Sequence, residues 1–126
     1  MGDVVRYRIE RARQSLVDAE MLAQAGSWNS CVNRLYYACF YATSALMERD
    51  GATAKKHTGV RGFLNQRYVR TARIEQGLGD FYNELFDTRL DGDYEDLIAF
   101  DDEKVRPLID ETQRFVARVE ELLQSS

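Results

Sequence analysis

The sequence predicts an all-α protein, an up-and-down antiparallel bundle of four long helices and one short one. Three observations predict it. Apolar residues recur at steps of three and four through most of the chain. The 126 residues contain a single proline, Pro107, and the glycines fall mostly between the periodic stretches. No stretch alternates with period two for long enough to make a strand. Short loops between long helices then favour a bundle whose neighbours run antiparallel.

The first seam is Val5, Ile9, Ala12, Leu16, Ala19 and Ala23, with Leu22 flanking its last turn. Gly26 ends it, and Ser27 stands where a hydroxyl would cap the next helix. Residues 28–49 are apolar in almost every direction of the helical wheel. Such a helix is central to the bundle, or it carries a second face for a partner subunit. Asp50 and Gly51 break it, and residues 51–56 read as a loop. A short helix follows from Thr58 to about Tyr68, with Val60, Phe63 and Leu64 inward.

The fourth helix is marked by Ile74, Leu78, Phe81, Tyr82, Leu85 and Phe86. Continuing that stripe reaches Thr88 and Arg89, so Arg89 closes a core-facing stripe, where an arginine needs a partner or a ligand. Asp91, Gly92 and Asp93 read as a turn. The last helix has the cleanest stripe: Val105, Leu108, Ile109, Thr112, Phe115, Val116, Val119, Leu122 and Leu123. Asp101 or Asp102 caps it, and Pro107, just past the first turn, implies a slight kink or a later start.

The length fits one domain over residues 1–126, large enough for a core without disulfide or metal staples. Cys31 and Cys39 lie eight apart on one helix, about 12 Å along its axis, too far to bridge. Free thiols suit a reducing compartment. With no apolar run of membrane-spanning length and no leader pattern, a cytoplasmic protein is expected.

The net charge is −4, which argues against a protein that binds nucleic acid over its whole surface. The distribution is uneven. Residues 51–74 contain no acid but hold Lys55, Lys56, Arg61, Arg67, Arg70 and Arg73. In residues 75–103 the acids face one cation, Arg89. This polarity is either a footprint for a polyanion or two solvated faces that pair with each other.

Metal and cofactor chemistry finds no foothold. His57 is the sole histidine, and with two cysteines facing different ways it makes no zinc set. Asp91, Asp93, Glu95 and Asp102 echo a calcium loop, but Asp96 stands where that loop needs glycine. No metal and no cofactor is expected. Cys39, inside the most apolar helix, reads as inert packing rather than a nucleophile for His57. There is no glycine-rich phosphate loop.

Two features remain. Asn33, Arg34, Tyr36, Tyr37 and Tyr41 are polar groups in a dense apolar surround, serving either a buried hydrogen-bond network or binding. The run from Arg89 to Tyr94 places an arginine at the end of one helix and a tyrosine just past a turn.

These features resemble the HEPN domains (higher eukaryotes and prokaryotes nucleotide-binding). Residues 33–42 resemble the second-helix signature of a subfamily of small bacterial and archaeal HEPN proteins. Lys56, His57, Thr58, Gly59 and Val60, followed by Phe63, resemble its next block. Arg89 with Asp93 and Tyr94 resembles its Arg-x-x-x-Asp-Tyr block, and the resemblance runs from about residue 8 to 123. It implies a five-helix bundle that dimerises around a groove. Many members are metal-independent ribonucleases, several of them toxins neutralised by a minimal nucleotidyltransferase that modifies a tyrosine. Their motif is an arginine followed four to six residues later by a histidine; here Arg89 matches the arginine, but Tyr94 stands five residues on.

The resemblance gives three readings. In the first, the protein cuts RNA and an antitoxin nucleotidyltransferase restrains it. Arg89 holds the phosphate, His57 serves as acid–base group, and Tyr94 orients substrate or accepts modification. Asn33, Arg34, Tyr37, Asp93 and Lys56 then bind the RNA or nucleotide. The second is a non-catalytic nucleotide- or RNA-binding module, the partner subunit of a nucleotidyltransferase. The third is a structural homodimer. His57 is the hinge between them: histidine has the intrinsic pKa for acid–base work near neutrality, unless it merely starts the short helix, exposed and replaceable.

The apolar surface of residues 28–49 predicts a homodimer formed through that helix or its neighbours. Light scattering of the pure protein should return twice the chain mass; a monomer at high concentration would refute the assembly.

Overall fold

The computed structural model describes residues 1–92 and 99–125, without the side chains of residues 89–92. Among them the chain forms α1 (Asp3–Gln24), α2 (Trp28–Arg49), α3 (His57–Leu64), α4 (Gln76–Gly92) and α5 (Asp102–Gln124). A π-helical turn, Asn65–Val69, extends α3, so the expected end near Tyr68 holds for the coiled segment but not for its α-helical part.

Cross-helix side-chain pairs fix the directions. Arg8 reaches the Ser44 carbonyl and Arg11 the Tyr41 hydroxyl, so α1 and α2 run antiparallel. Gln113 bonds Glu20, and Arg13 pairs with Glu120, so α1 and α5 run antiparallel too. Arg118, late in α5, bonds Glu75 at the head of α4. The bundle is up-and-down, as expected.

The stripes explain the layering. α1 turns Val5, Ile9, Ala12, Ala19 and Ala23 inward. Its alanines meet a helix that is itself rich in buried small residues, Cys31, Ala38, Cys39, Ala42 and Ala45, which lets the two backbones approach closely. α2 touches each of the other four helices and is the centre of the bundle. The large exposed apolar side chains are Met1, Val4, Tyr7, Val17 and Met21, on or beside α1. The bundle buries most of α2 and leaves Trp28, Tyr37, Phe40 and Tyr41 half-buried, while the most exposed apolar side chains lie on or beside its neighbour α1.

Helix ends follow local chemistry with three departures. Asp101, rather than Asp102, caps α5 by accepting from the Lys104 amide at 2.9 Å. Ser27 occupies the N-cap of α2, but its hydroxyl makes no capping bond; its backbone is engaged instead, the amide donating to the Leu22 carbonyl and the carbonyl accepting from the Cys31 amide. α5 does not start late: it begins at Asp102 with Pro107 inside it. And α4 runs through Asp91 and Gly92, where a turn was expected. Gly79 is obligatory for packing, since a Cβ there would lie 2.6 Å from Val69 Cγ2.

A polar latch ties the lower end together. The Tyr68 hydroxyl donates to Asp50 Oδ2 at 2.6 Å and accepts from Arg49 Nη2 at 2.8 Å, while Arg49 Nη1 donates to the Leu122 carbonyl at 2.6 Å. One arginine thus joins the end of α2, the π turn and the end of α5. Tyr82 is the opposite case. Its hydroxyl is buried with no hydrogen-bond partner among the described residues.

Burial pushes both phenols upward in pKa, Tyr68 and, more strongly, Tyr82, whose neighbour Tyr36 adds to the effect. The unfolded chain ionises first, near pH 10, while the folded chain still holds its protons. Stability is therefore complete below about pH 10 and falls as pH rises beyond it. Tyr82→Phe should remove an unsatisfied hydroxyl, cost nothing or raise stability by about 1 kcal/mol, and flatten the alkaline loss. Tyr68→Phe should cost about 1–3 kcal/mol by stranding Arg49 and Asp50. Thermal melts at pH 7 and above pH 10 measure both; equal losses in the two variants would contradict the assignment.

Candidate functional site

α3 begins one residue earlier than expected, at His57, and this places the imidazole against α2. Tyr36, Tyr37 and Phe40 come from one turn of α2, and their spacing turns them toward the start of α3. The His57 Nδ1 and the Tyr36 hydroxyl lie 2.7 Å apart. The imidazole stacks on Phe40 with centroids 4.3 Å apart and planes 16° apart. The Tyr37 ring stands edge-on to it at 5.8 Å. His57 is half-buried, so the reading of an exposed, replaceable histidine at a helix start does not hold.

Tyr36 is itself fully buried, between Tyr82 and Phe86 of α4, each with its centroid 6.1 Å away. The anchor of the histidine is therefore rooted in the core. A buried phenol against one ring nitrogen fixes the ring plane and ties the tautomer to the direction of that bond. If the phenol donates to Nδ1, the ring proton sits on Nε2. If Nδ1–H donates to the phenol, Nε2 is left basic. Either arrangement presents one defined nitrogen for proton transfer.

Arg34 lies over the Tyr37 ring, its guanidinium carbon 4.8 Å from the centroid. It also donates to Asn33 Oδ1, from Nη2 at 2.8 Å. Asn33 and Arg34 are half-buried and bond to each other, at the edge of the core rather than in its sealed interior. Lys56 is exposed at the N-cap of α3, next to His57 in the chain. The structure thus brings together Asn33, Arg34, Tyr37 and His57, with Lys56 beside them.

Arg89 lies in the described backbone of α4, one turn past Phe86, but its side chain lies outside the described residues. So do Asp93 and Tyr94. Among the described residues, no group of three or more His, Cys, Asp or Glu side chains is placed to hold a metal. Both cysteines are buried and unbridged, and burial pushes both thiols up in pKa, Cys39 strongly. Neither is poised as a nucleophile.

The polarity of charge resolves in part. Arg61 pairs with Asp87 at 3.5 Å and lies over Phe86, so the basic and acidic stretches do meet at one place. Arg67 and Arg73 lie over Phe63 and Tyr68. Sequence reasoning passed over Phe40 and gave Tyr36 no role of its own in the site. Tyr36 and His57 are 21 residues apart, and nothing in local spacing pairs them. The available signal was the number of aromatics crowded into residues 36–41.

Residues 5–122 match the HEPN domain family. The chain is a HEPN-domain protein. A UPF0332 protein of Thermotoga maritima is 38% identical over 121 residues, covering 96% of this chain and 92% of the relative. A Methanocaldococcus jannaschii protein named "Putative toxin MJ0142" is 28% identical over 117 residues, covering 93% of this chain and 80% of its own. A UPF0332 protein of Gloeobacter violaceus is 30% identical over 89 residues, 68% of each chain. Among the described residues of this HEPN protein, no helix is long and apolar enough to cross a membrane.

Tyr36→Phe keeps the aromatic packing of this HEPN domain and removes the bond to Nδ1. The expected cost is about 1 kcal/mol in a thermal or denaturant melt, with the imidazole NMR signals of His57 broadened by new ring motion. Sharp, unshifted imidazole signals in that variant would show that the phenol does not hold the ring.

Proposed function

We propose that this chain is a toxin-like HEPN protein that cuts RNA without a metal ion, acting in the cytoplasm as a single-domain homodimer. A minimal nucleotidyltransferase antitoxin holds it in check. The observation that carries the reading is the fixing of the lone histidine, anchored by a core tyrosine and stacked on Phe40. A dispensable surface histidine needs no such mounting.

His57 takes the proton of a ribose 2′-hydroxyl, whose oxygen bonds the adjacent phosphorus to give a 2′,3′-cyclic phosphate as the P–O5′ bond breaks and the 5′-oxygen takes a proton from water. Arg89, carried one turn beyond the Phe86 that packs on Tyr36, supplies the cation for the phosphate. Arg34 and Lys56 draw in the backbone, Asn33 and Asp93 offer hydrogen bonds, and Tyr37 stacks a base. Tyr94 orients the substrate or accepts a nucleotide from the antitoxin. The relative named as a toxin supports the biological class.

A second reading, a non-catalytic RNA- or nucleotide-binding subunit of a nucleotidyltransferase, is favoured by one observation: Tyr94 holds the position of the family's histidine.

Wild type, His57→Ala and Arg89→Ala incubated with total RNA in a chelator separate the two. The nuclease reading expects cleavage by wild type with a pH dependence in the imidazole range. It expects a loss of roughly a hundredfold or more in His57→Ala. It also expects loss of RNA binding in Arg89→Ala with the melting temperature nearly unchanged. RNA bound but uncut by wild type moves the assignment to the binding subunit. Equal cleavage by wild type and His57→Ala removes His57 from the site.

A further inference from the structure

Beside the His57 cluster lies a cavity of about 430 Å³, in the size class of small-molecule clefts. It opens between α1, α2 and the segment leading to α3, and its walls include Tyr7, Phe40, Tyr41, Glu48 and Thr53. Phe40 is shared: the ring that stacks on His57 also lines this cavity.

The walls are set for a flat ligand. Tyr7 is 62% exposed, a large aromatic that the bundle leaves to solvent at the cavity's edge. Tyr41 is half-buried, with the Arg11 guanidinium carbon 5.2 Å from its ring centroid. Arg8 donates to the Ser44 carbonyl at 3.0 Å and pairs with Glu48 at 3.4 Å. That clamp holds the Glu48 carboxylate at the wall and offsets its charge, so a polyanionic strand is not repelled. Phosphate chemistry is a poor match for walls that are mostly aromatic and aliphatic. A base with a π-face and a polar edge is a good one.

We propose that this cavity is a nucleobase subsite, taking one unstacked base of single-stranded RNA beside the linkage presented to His57; the proposal rests on the RNA reading above. The base stacks on Tyr7 and Tyr41. Glu48, an acceptor only, reads an edge that donates. Guanine offers two adjacent N–H donors to a carboxylate, and uracil offers one, so the subsite prefers guanine.

The test uses the full chain, the four nucleoside 5′-monophosphates, and single-stranded RNA octamers with and without guanine. NMR titration of wild type should shift the ring signals of Tyr7, Phe40 and Tyr41, most strongly with the guanine nucleotide. Tyr7→Ala should weaken octamer binding roughly tenfold, the size expected for one lost base stack, with an unchanged melting temperature because Tyr7 is exposed. Tyr41→Leu, the second variant on the same wall, should weaken octamer binding as well, with a modest drop in melting temperature because Tyr41 is half-buried and bonded to Arg11. Glu48→Gln should erase the preference for guanine while leaving binding to the other bases.

Octamer binding unchanged in both tyrosine variants overturns the subsite, even if wild type cuts RNA and His57→Ala does not. Shifts of Tyr7 and Tyr41 by nucleotides, in a protein that cuts no RNA, uphold the subsite and overturn the nuclease. Binding of neither nucleotides nor octamers overturns both.

Discussion

The constraint on which this structure depends is that α2 is apolar around most of its circumference, leaving one half-exposed stripe through Asn33, Arg34, Tyr37, Tyr41, Ser44 and Glu48. A helix apolar on most sides is stable only when those sides are covered. α1 and α5 cover it lengthwise, α4 covers another flank, and the short α3 covers part of what is left. Where the cover is a short helix, the covering residue includes His57, and the covered surface is Tyr36, Tyr37 and Phe40. The candidate site is thus a consequence of how the central helix is sealed. Aromatic surface that a longer helix would have met with leucines is met instead by an imidazole.

The two buried tyrosines near this seal show how the fold treats polar atoms. The Tyr36 phenol is engaged with His57, so the cost of burying it is offset by a bond that positions a titratable ring. The Tyr82 hydroxyl, a neighbour in the same layer, lacks a hydrogen-bond partner among the described residues and holds its proton far above the ordinary range. At the other end, Tyr68 is fully satisfied between Asp50 and Arg49. Stability and site chemistry therefore rest on different tyrosines, one at each end of α2.

Electrostatics divides the same way. The acid-free stretch lies in α3, the π turn and their flanks, while its acidic counterpart runs along α4 and into the start of α5. Arg61 and Asp87 join them once. Lys55, Lys56 and Arg70 remain exposed on the basic side, the two lysines close in the chain to His57 and to the loop that lines the neighbouring cavity. A negative net charge is compatible with a local basic approach to the site, because charges separated by more than about 8–10 Å are largely screened at physiological salt.

The sequence by itself determined the class, the helices and their inward faces. The periods that place Val5, Ile9 and Ala12, or Val105, Ile109 and Thr112, on one side are local properties of a 3.6-residue helix and need no partner to be read. The family was legible for a related reason: the blocks that resemble its signature are short runs of consecutive residues, readable without any tertiary contact. The tertiary structure decided what no local period encodes. It brought His57 to Tyr36 across 21 residues, left the most exposed apolar side chains on or beside α1, and carried α4 through Asp91 and Gly92 where turn-forming residues predicted a stop. It also placed Phe40 between the imidazole and a cavity reaching back to Tyr7, a placement set by how α1 packs on α2 and by no period within either helix.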